Sequence, residues 1–113
     1  MSRPETRVVS LVGLPAAPEA QARVVWHAGQ GEAVLVASGL APAPPGKAYE
    51  LWVIAKAAPV PAGVFQVDAQ GRVVFPLPAG LALAGVKTFA VTVEPSGGTT
   101  APTGAMVLAG AAS

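Results

Sequence analysis

Glycine and proline recur along the whole chain, and their spacing limits the elements that it can form. The 113 residues include 13 glycines and 12 prolines, which are spread out rather than collected into one linker. The segments between them suit strands of about five to eight residues better than helices of ten or more. Eight segments rich in Val, Phe, Tyr and Trp are predicted as strands: 7–13, 22–28, 32–38, 48–55, 63–68, 72–77, 86–94 and 105–110.

Eight short strands with regular turns predict an all-β fold. We expect a single domain over residues 1–113, built as an antiparallel β-sandwich of immunoglobulin type with about seven to eight strands. The ends, 1–6 and 111–113, are expected to be flexible. "HAGQGE" (27–32) and "VDAQGR" (67–72) predict tight hairpins, and "PAGLALAG" (78–85) predicts one helical turn.

Composition excludes several classes of function. Only 12% of residues are charged and the net charge is +1, with basic residues scattered, so no basic stripe for nucleic acid is present. The chain has no cysteine, which excludes disulfides and thiolate metal sites, and His27 is its one histidine. We therefore expect no metal site. No apolar run approaches the roughly 18 residues that span a bilayer, so this chain alone is expected to be soluble.

The segment "AYELWVI" (48–54) is the most strand-like part of the chain, yet it contains a carboxylate. Alternation places Tyr49, Leu51 and Val53 on one face and Glu50 and Trp52 on the other. Both faces are mostly apolar, which predicts a central strand whose second face is covered by a loop or partner. The neighbouring Pro-rich segments are candidates for that cover.

Glu50 and Glu94 are the two acids placed within or at the end of central-looking strands. Two carboxylates several ångströms apart are what a glycosidase needs, so a small two-carboxylate hydrolase is one hypothesis. The competing interpretation is structural, because a carboxylate on an apolar face must be solvated at a rim or paired with a cation. Lys47, Lys56 and Arg23 are the candidate cations for Glu50.

Two further features suggest binding. Trp26 and Trp52 are candidates to stack on a sugar ring, Trp52 more so because it points outward if Tyr49 points inward. The loop "EPSGGTTAPTG" (94–104) is either a connection between strands or a recognition or protease-accessible loop. We name Trp52, Glu50, Glu94 and Ser96 as candidate contacts for a ligand or partner, and we assign no catalytic residue.

Four motifs in order resemble the C-terminal domain of the anti-sigma-K factor family. They are "GKAYELWVI", "GVFQVDAQGRV", "FAVTVEPSGG" followed by "PTG", and "MVLAG", and they cover about residues 46 to 110. The Tyr-x-Leu-Trp strand and the Glu-Pro-x-Gly-Gly turn are the most specific of them. The matching positions, which we interpret first as structural, are Tyr49, Leu51, Trp52, Glu94, Pro95, Gly97 and Gly98.

The resemblance implies a regulatory role, with no enzymatic activity and no cofactor for the domain itself. Family members are bacterial single-pass membrane proteins whose cytoplasmic segment holds an extracytoplasmic-function sigma factor, while this domain lies outside the membrane on the periplasmic or cell-wall side. The sigma factor is released by stepwise proteolysis.

The printed sequence lacks the sigma-binding segment and the membrane helix, so sigma binding is expected only of the full-length protein. For this domain we expect a periplasmic protein, a protease or a small ligand as partner. A homodimer through an edge strand and a free-standing carbohydrate- or cell-surface-binding module are alternatives.

Overall fold

The computed structural model describes residues 6–27, 32–55, 58–78 and 85–111, and every regular element within these ranges is a strand. The eight strands are β1 (Thr6–Gly13), β2 (Gln21–His27), β3 (Ala33–Ser38), β4 (Lys47–Ile54), β5 (Val60–Phe65), β6 (Val73–Pro76), β7 (Thr88–Pro95) and β8 (Met106–Ala111). Each overlaps one of the eight predicted strands, so the all-β prediction is confirmed.

All eight strands belong to one antiparallel sheet in the order β5-β4-β7-β8-β1-β2-β3-β6. The immunoglobulin-like sandwich is not confirmed, because a sandwich needs two separate sheets and this ladder is continuous. The two halves of the sheet join where β8 pairs with both β7 and β1.

The sheet curls until its two edge strands approach each other, which gives a nearly barrel-shaped fold. The rings of Phe65 on β5 and Phe75 on β6 lie 5.4 Å apart between centroids. A methyl group on Gly63 would come within 2.5 Å of a ring carbon of Phe75, so only glycine permits this approach. Side chains rather than a hydrogen-bonded ladder therefore bring the two edges together.

The turn after β5 forms as predicted, but the hairpin does not. The carboxylate of Asp68 accepts hydrogen bonds from the amides of Gln70 and Arg72, and Gly71 adopts a positive φ of 75°. The strands on either side of this turn pair with β4 and β3 rather than with each other. The prediction of a β5–β6 hairpin was wrong because turn chemistry fixes a local reversal and not the pairing partner.

Alternation along the strands places an apolar core inside the curled sheet. Leu11, Val24, Leu35, Leu51 and Phe89 are almost completely buried there. Strand β4 lies between β5 and β7 with both faces buried, so its predicted central character is confirmed.

Several expectations fall partly outside the described residues. These are the tip of the 27–32 hairpin, the helical turn in 78–85 and most of the ends that were expected to be flexible; Thr6 and Ala111 themselves belong to strands. Antiparallel pairing of β2 with β3 is nevertheless present. Across the described ranges, no helix is both long enough and apolar enough to cross a membrane.

Candidate functional site

The outer face of β4 and β7 buries two carboxylates, a threonine and an indole. Glu50 and Trp52 lie on β4, Thr92 and Glu94 lie on β7, and Glu50 is directly opposite Thr92 in the ladder. All four are at most 2% exposed. We call these four residues the covered face. Two acids at this depth need compensating donors or cations, because burial disfavours the charged form.

Glu94 receives hydrogen bonds from four donors and has no cation among them. The hydroxyls of Thr92 and Thr103 donate to it at 2.5 and 2.6 Å. The amides of Thr103 and Gly104 donate at 3.0 and 3.2 Å. Three of these donors come from the segment between β7 and β8, so the carboxylate ties that segment to the sheet.

The donors decide the charge state of Glu94. Burial alone would raise the pKa of Glu94, but the hydroxyls of Thr103 and Thr92 and the amides of Thr103 and Gly104 outweigh it. They lower this pKa from 4.5 to about 2. Glu94 is therefore an ionised acceptor at neutral pH rather than a proton donor.

Glu50 is held by the same segment at another point. The amide and hydroxyl of Thr99 donate to its Oε1 at 2.9 and 3.1 Å. The sequence predicted a rim position or a cation such as Lys47, Lys56 or Arg23. The structure instead gives Glu50 two neutral donors at 2% exposure, while Lys56 lies outside the described residues.

The segment from residue 96 to residue 105, which we call the strap, crosses the covered face between β7 and β8. Besides the carboxylate contacts, the amide of Ser96 donates to the carbonyl of Gly46, and the amide of Val93 donates to that of Ala105. Ser96 itself is exposed. At Glu50 the outer face of β4 is therefore met by a segment distant in sequence, while the Pro-rich segment before β4 contacts Tyr49, whose hydroxyl donates to the carbonyl of Ala41.

Two adjacent glycines in the strap have different roles. Gly98 closes a turn by donating its amide to the carbonyl of Pro95, with a φ of +81°. A methyl group on Gly98 would lie 2.9 Å from a methyl carbon of Val64 and 3.4 Å from Glu50 Oε2, whereas one on Gly97 would have no neighbour within 4 Å. Only Gly98 is required by backbone angle and by close packing.

The two tryptophans are structural in this conformation. Trp52 is fully buried and donates its indole N–H to Thr92, which in turn donates to Glu94. Trp26 is partly buried, and its ring lies 5.8 Å from that of Phe89. Trp52 lies on the outer face, as alternation predicted, but its indole is buried there and offers no exposed ring in this structure.

The geometry places Glu50 and Glu94 together but leaves little room for hydrolysis. They are diagonal neighbours on one face of the sheet, and the general geometry of an antiparallel ladder places the two residues about 7 Å apart. They therefore do not lie on opposite layers. Their oxygens already accept hydrogen bonds from the strap. The side chain of His27 lies outside the described residues, and the described part of the chain contains no cluster of metal-ligating side chains.

Sequence reasoning missed the partners of the two acids. Thr99, Thr103 and Gly104 supply the strap's donors, although the loop had been recognised as distinctive. The available signal was the run of threonine and glycine within ten residues after a strand-terminal glutamate. Hydroxyl and amide donors in such a loop are suited to a carboxylate that has no cation.

Comparison with known proteins identifies one family. The family described as anti-sigma-K factor rskA, C-terminal, matches residues 1–106 of the chain. No curated protein and no solved structure gives a significant match.

Proposed function

This chain belongs to the anti-sigma-K factor C-terminal family, and on that premise we propose that it is the extracytoplasmic regulatory domain of a membrane-anchored anti-sigma factor. The whole protein would hold an extracytoplasmic-function sigma factor through a separate segment, and this domain would sense or relay the signal that leads to proteolytic release. The match over residues 1–106 is the observation that carries the proposal.

The geometry of the covered face supports a role without enzymatic activity. Both buried carboxylates accept hydrogen bonds from the strap, and the low pKa of Glu94 makes it unsuitable as a general acid near neutral pH. Among the candidate contacts, Ser96 alone is exposed. We therefore propose the outer side of the strap as the part of this region that a periplasmic protein, a protease or a small ligand would meet.

The complete coding sequence tests the membrane-anchored architecture. We expect a sigma-binding segment and one membrane-spanning helix ahead of the region printed here, with a sigma-factor gene beside it. A complete gene that encodes neither feature would remove the regulator proposal and leave a free-standing binding module as the alternative.

A reporter strain tests the regulatory role. Deleting residues 1–113 from the full-length protein should leave the sigma factor bound but abolish the response of a sigma-dependent promoter to its inducing stress. A periplasm-active phosphatase fused after residue 113 should be active, whereas the same fusion to the sigma-binding segment should be inactive. An unchanged promoter response, or an inactive phosphatase at residue 113, would contradict the proposal.

A further inference from the structure

The outer face of β1, β2, β3 and β6 exposes valines beside arginines. Its ladder register aligns Ser10, Arg23, Val36 and Val74 in one row across the four strands. Val12 and Val74 are 62% and 68% exposed. We call this surface the bare face and define it by Ser10, Val12, Arg23, Val36, Arg72 and Val74. Aliphatic side chains grouped on a sheet face and left in water often mark an interaction site.

The bare face also has unused positive charge. Arg23 is exposed, and among the described residues its side chain makes no hydrogen bond or ion pair. Arg72 makes one long ion pair, 3.9 Å to Asp68, with both side chains at least half exposed. Such an exposed pair is weak, so the guanidinium of Arg72 remains open to a better partner.

The arginines and valines line one shallow cavity of about 500 Å³. Arg23, Arg72, Val36 and Val74 all contribute to its wall, and none of the described residues in that wall is acidic. Asp68 lies outside this wall, so the two cations make the cavity complementary to a further carboxylate, and the valines beside them make it complementary to aliphatic side chains.

From this arrangement we propose that the bare face is a docking surface for an acidic, aliphatic polypeptide segment of a protein partner. Carboxylates of the segment pair with Arg23 and Arg72 while its aliphatic side chains cover Val12 and Val74. The proposal concerns a surface separate from the strap and does not depend on the sigma-factor role.

Charge and shape favour this occupant over two others. A second copy of the chain placed face to face by two-fold symmetry would bring Arg23 and Arg72 towards cations rather than carboxylates. A bilayer presents a plane, whereas the arginines and valines here line a concave surface. A protruding polypeptide segment can enter the cavity and supply both chemistries.

Backbone-amide NMR of the full 113-residue chain tests the proposal. The probe is a six-residue capped peptide of alternating valine and glutamate, and its control replaces each glutamate with lysine. We expect the acidic peptide to shift amides at 10–12, 21–25, 34–38 and 72–76, and the lysine peptide to shift none. Arg23→Gln should weaken binding about two- to fivefold, and Arg23→Gln with Arg72→Gln should weaken it further.

Lys47→Gln is the matched control, because Lys47 is an exposed cation on β4 and away from the bare face. It should bind the acidic peptide as the wild type does, and each variant should keep wild-type shifts elsewhere. No shifts on the bare face, or equal loss in Lys47→Gln, would overturn the proposal. So would phosphatidylglycerol vesicles that bind in an Arg23-dependent way, or a dimer in sedimentation that Arg23→Gln abolishes.

Discussion

The covered face and the bare face belong to one sheet, yet carboxylates are buried on the first and valines are exposed on the second. The covered face contains two glutamates and a threonine, and it is buried. The bare face contains valines more than 60% exposed, such as Val12 and Val74. The difference shows that the burial of a sheet face here depends on whether a segment supplies matching donors, and not on the hydropathy of the face.

The strap makes this burial possible because it brings neutral donors to fixed charges. Thr99, Thr103 and Gly104 provide amides and hydroxyls that replace water around Glu50 and Glu94. A carboxylate that accepts several such bonds remains charged in a buried site. The covered face is therefore a polar network closed within the chain, while the bare face offers complementary chemistry to another molecule.

Removing the indole of the covered face should have the largest effect. Trp52→Ala deletes a fully buried side chain and leaves a cavity, so we expect the free energy of unfolding to fall by about 3 to 5 kcal/mol. Urea denaturation followed by circular dichroism measures it. A loss below about 1 kcal/mol would mean that the covered face is not packed as described.

Replacing the carboxylate of Glu94 should cost slightly less. Glu94→Gln places an amide N–H₂ among donors, and we expect a loss of about 3 kcal/mol at pH 7. Glu19→Gln, at an exposed acid, is the control and should stay within about 0.5 kcal/mol. A Glu94→Gln variant as stable as the control would contradict the network.

The same carboxylate predicts how stability depends on pH. Because folding lowers the pKa of Glu94 from 4.5 to about 2, its contribution is present above pH 4.5 and is lost as pH falls towards 2. The stability gap between wild type and Glu94→Gln should shrink across that range. The pKa of Asp68 is also lowered, chiefly by the amide of Arg72. Asp68 contributes to the pH dependence of both proteins alike, so the difference in stability between them reports on Glu94.

Substituting the two glycines of the strap should change stability less, and one substitution serves as the control for the other. Gly98→Ala should destabilise the fold by about 1 to 2 kcal/mol, since Gly98 has a left-handed φ and packs against Val64. Gly97→Ala should be neutral or slightly stabilising, because its added methyl meets no neighbour. Thermal unfolding measures the stability of both variants. Equal losses of stability would contradict the different roles assigned to Gly97 and Gly98.

The bare face should give the smallest effect on folding. Val74→Ser changes a side chain that is 68% exposed, so we expect a change within about 0.5 kcal/mol. Urea denaturation of Val74→Ser and Trp52→Ala under the same conditions compares the two losses of stability directly. A loss above about 1 kcal/mol would show that the bare face is packed against part of the chain and is not available to a partner.

Local patterns predicted the strands and their faces well. Alternation in 48–54 placed Glu50 and Trp52 together, and Glu94 was placed at the end of a strand, as found. The composition also favoured strands over helices because its breakers are so evenly spaced. The position of a strand and the face of each side chain depend on residues that are adjacent in sequence, so local patterns can predict them.

The rest depends on contacts between distant residues. Nothing near Asp68 indicates that β5 and β6 become opposite edges of one sheet, and nothing near Glu50 points to Thr99, 49 positions away. Trp52 was assigned to the outer face correctly, but alternation alone does not indicate that this face is buried. A solvated rim or a paired cation was expected for Glu50, because the sequence shows which side chains are charged but not which backbone amides will lie beside a carboxylate.

Amide hydrogen exchange of the strap most directly tests whether the buried carboxylates hold it on the sheet. The amides of Thr99, Thr103 and Gly104 should exchange as slowly as those in the centres of β4 and β7, because each donates to a buried carboxylate. In Glu94→Gln, Thr103 and Gly104 should exchange faster than in the wild type. Exchange of all three amides in the wild type at the rate of an unstructured loop would contradict this account.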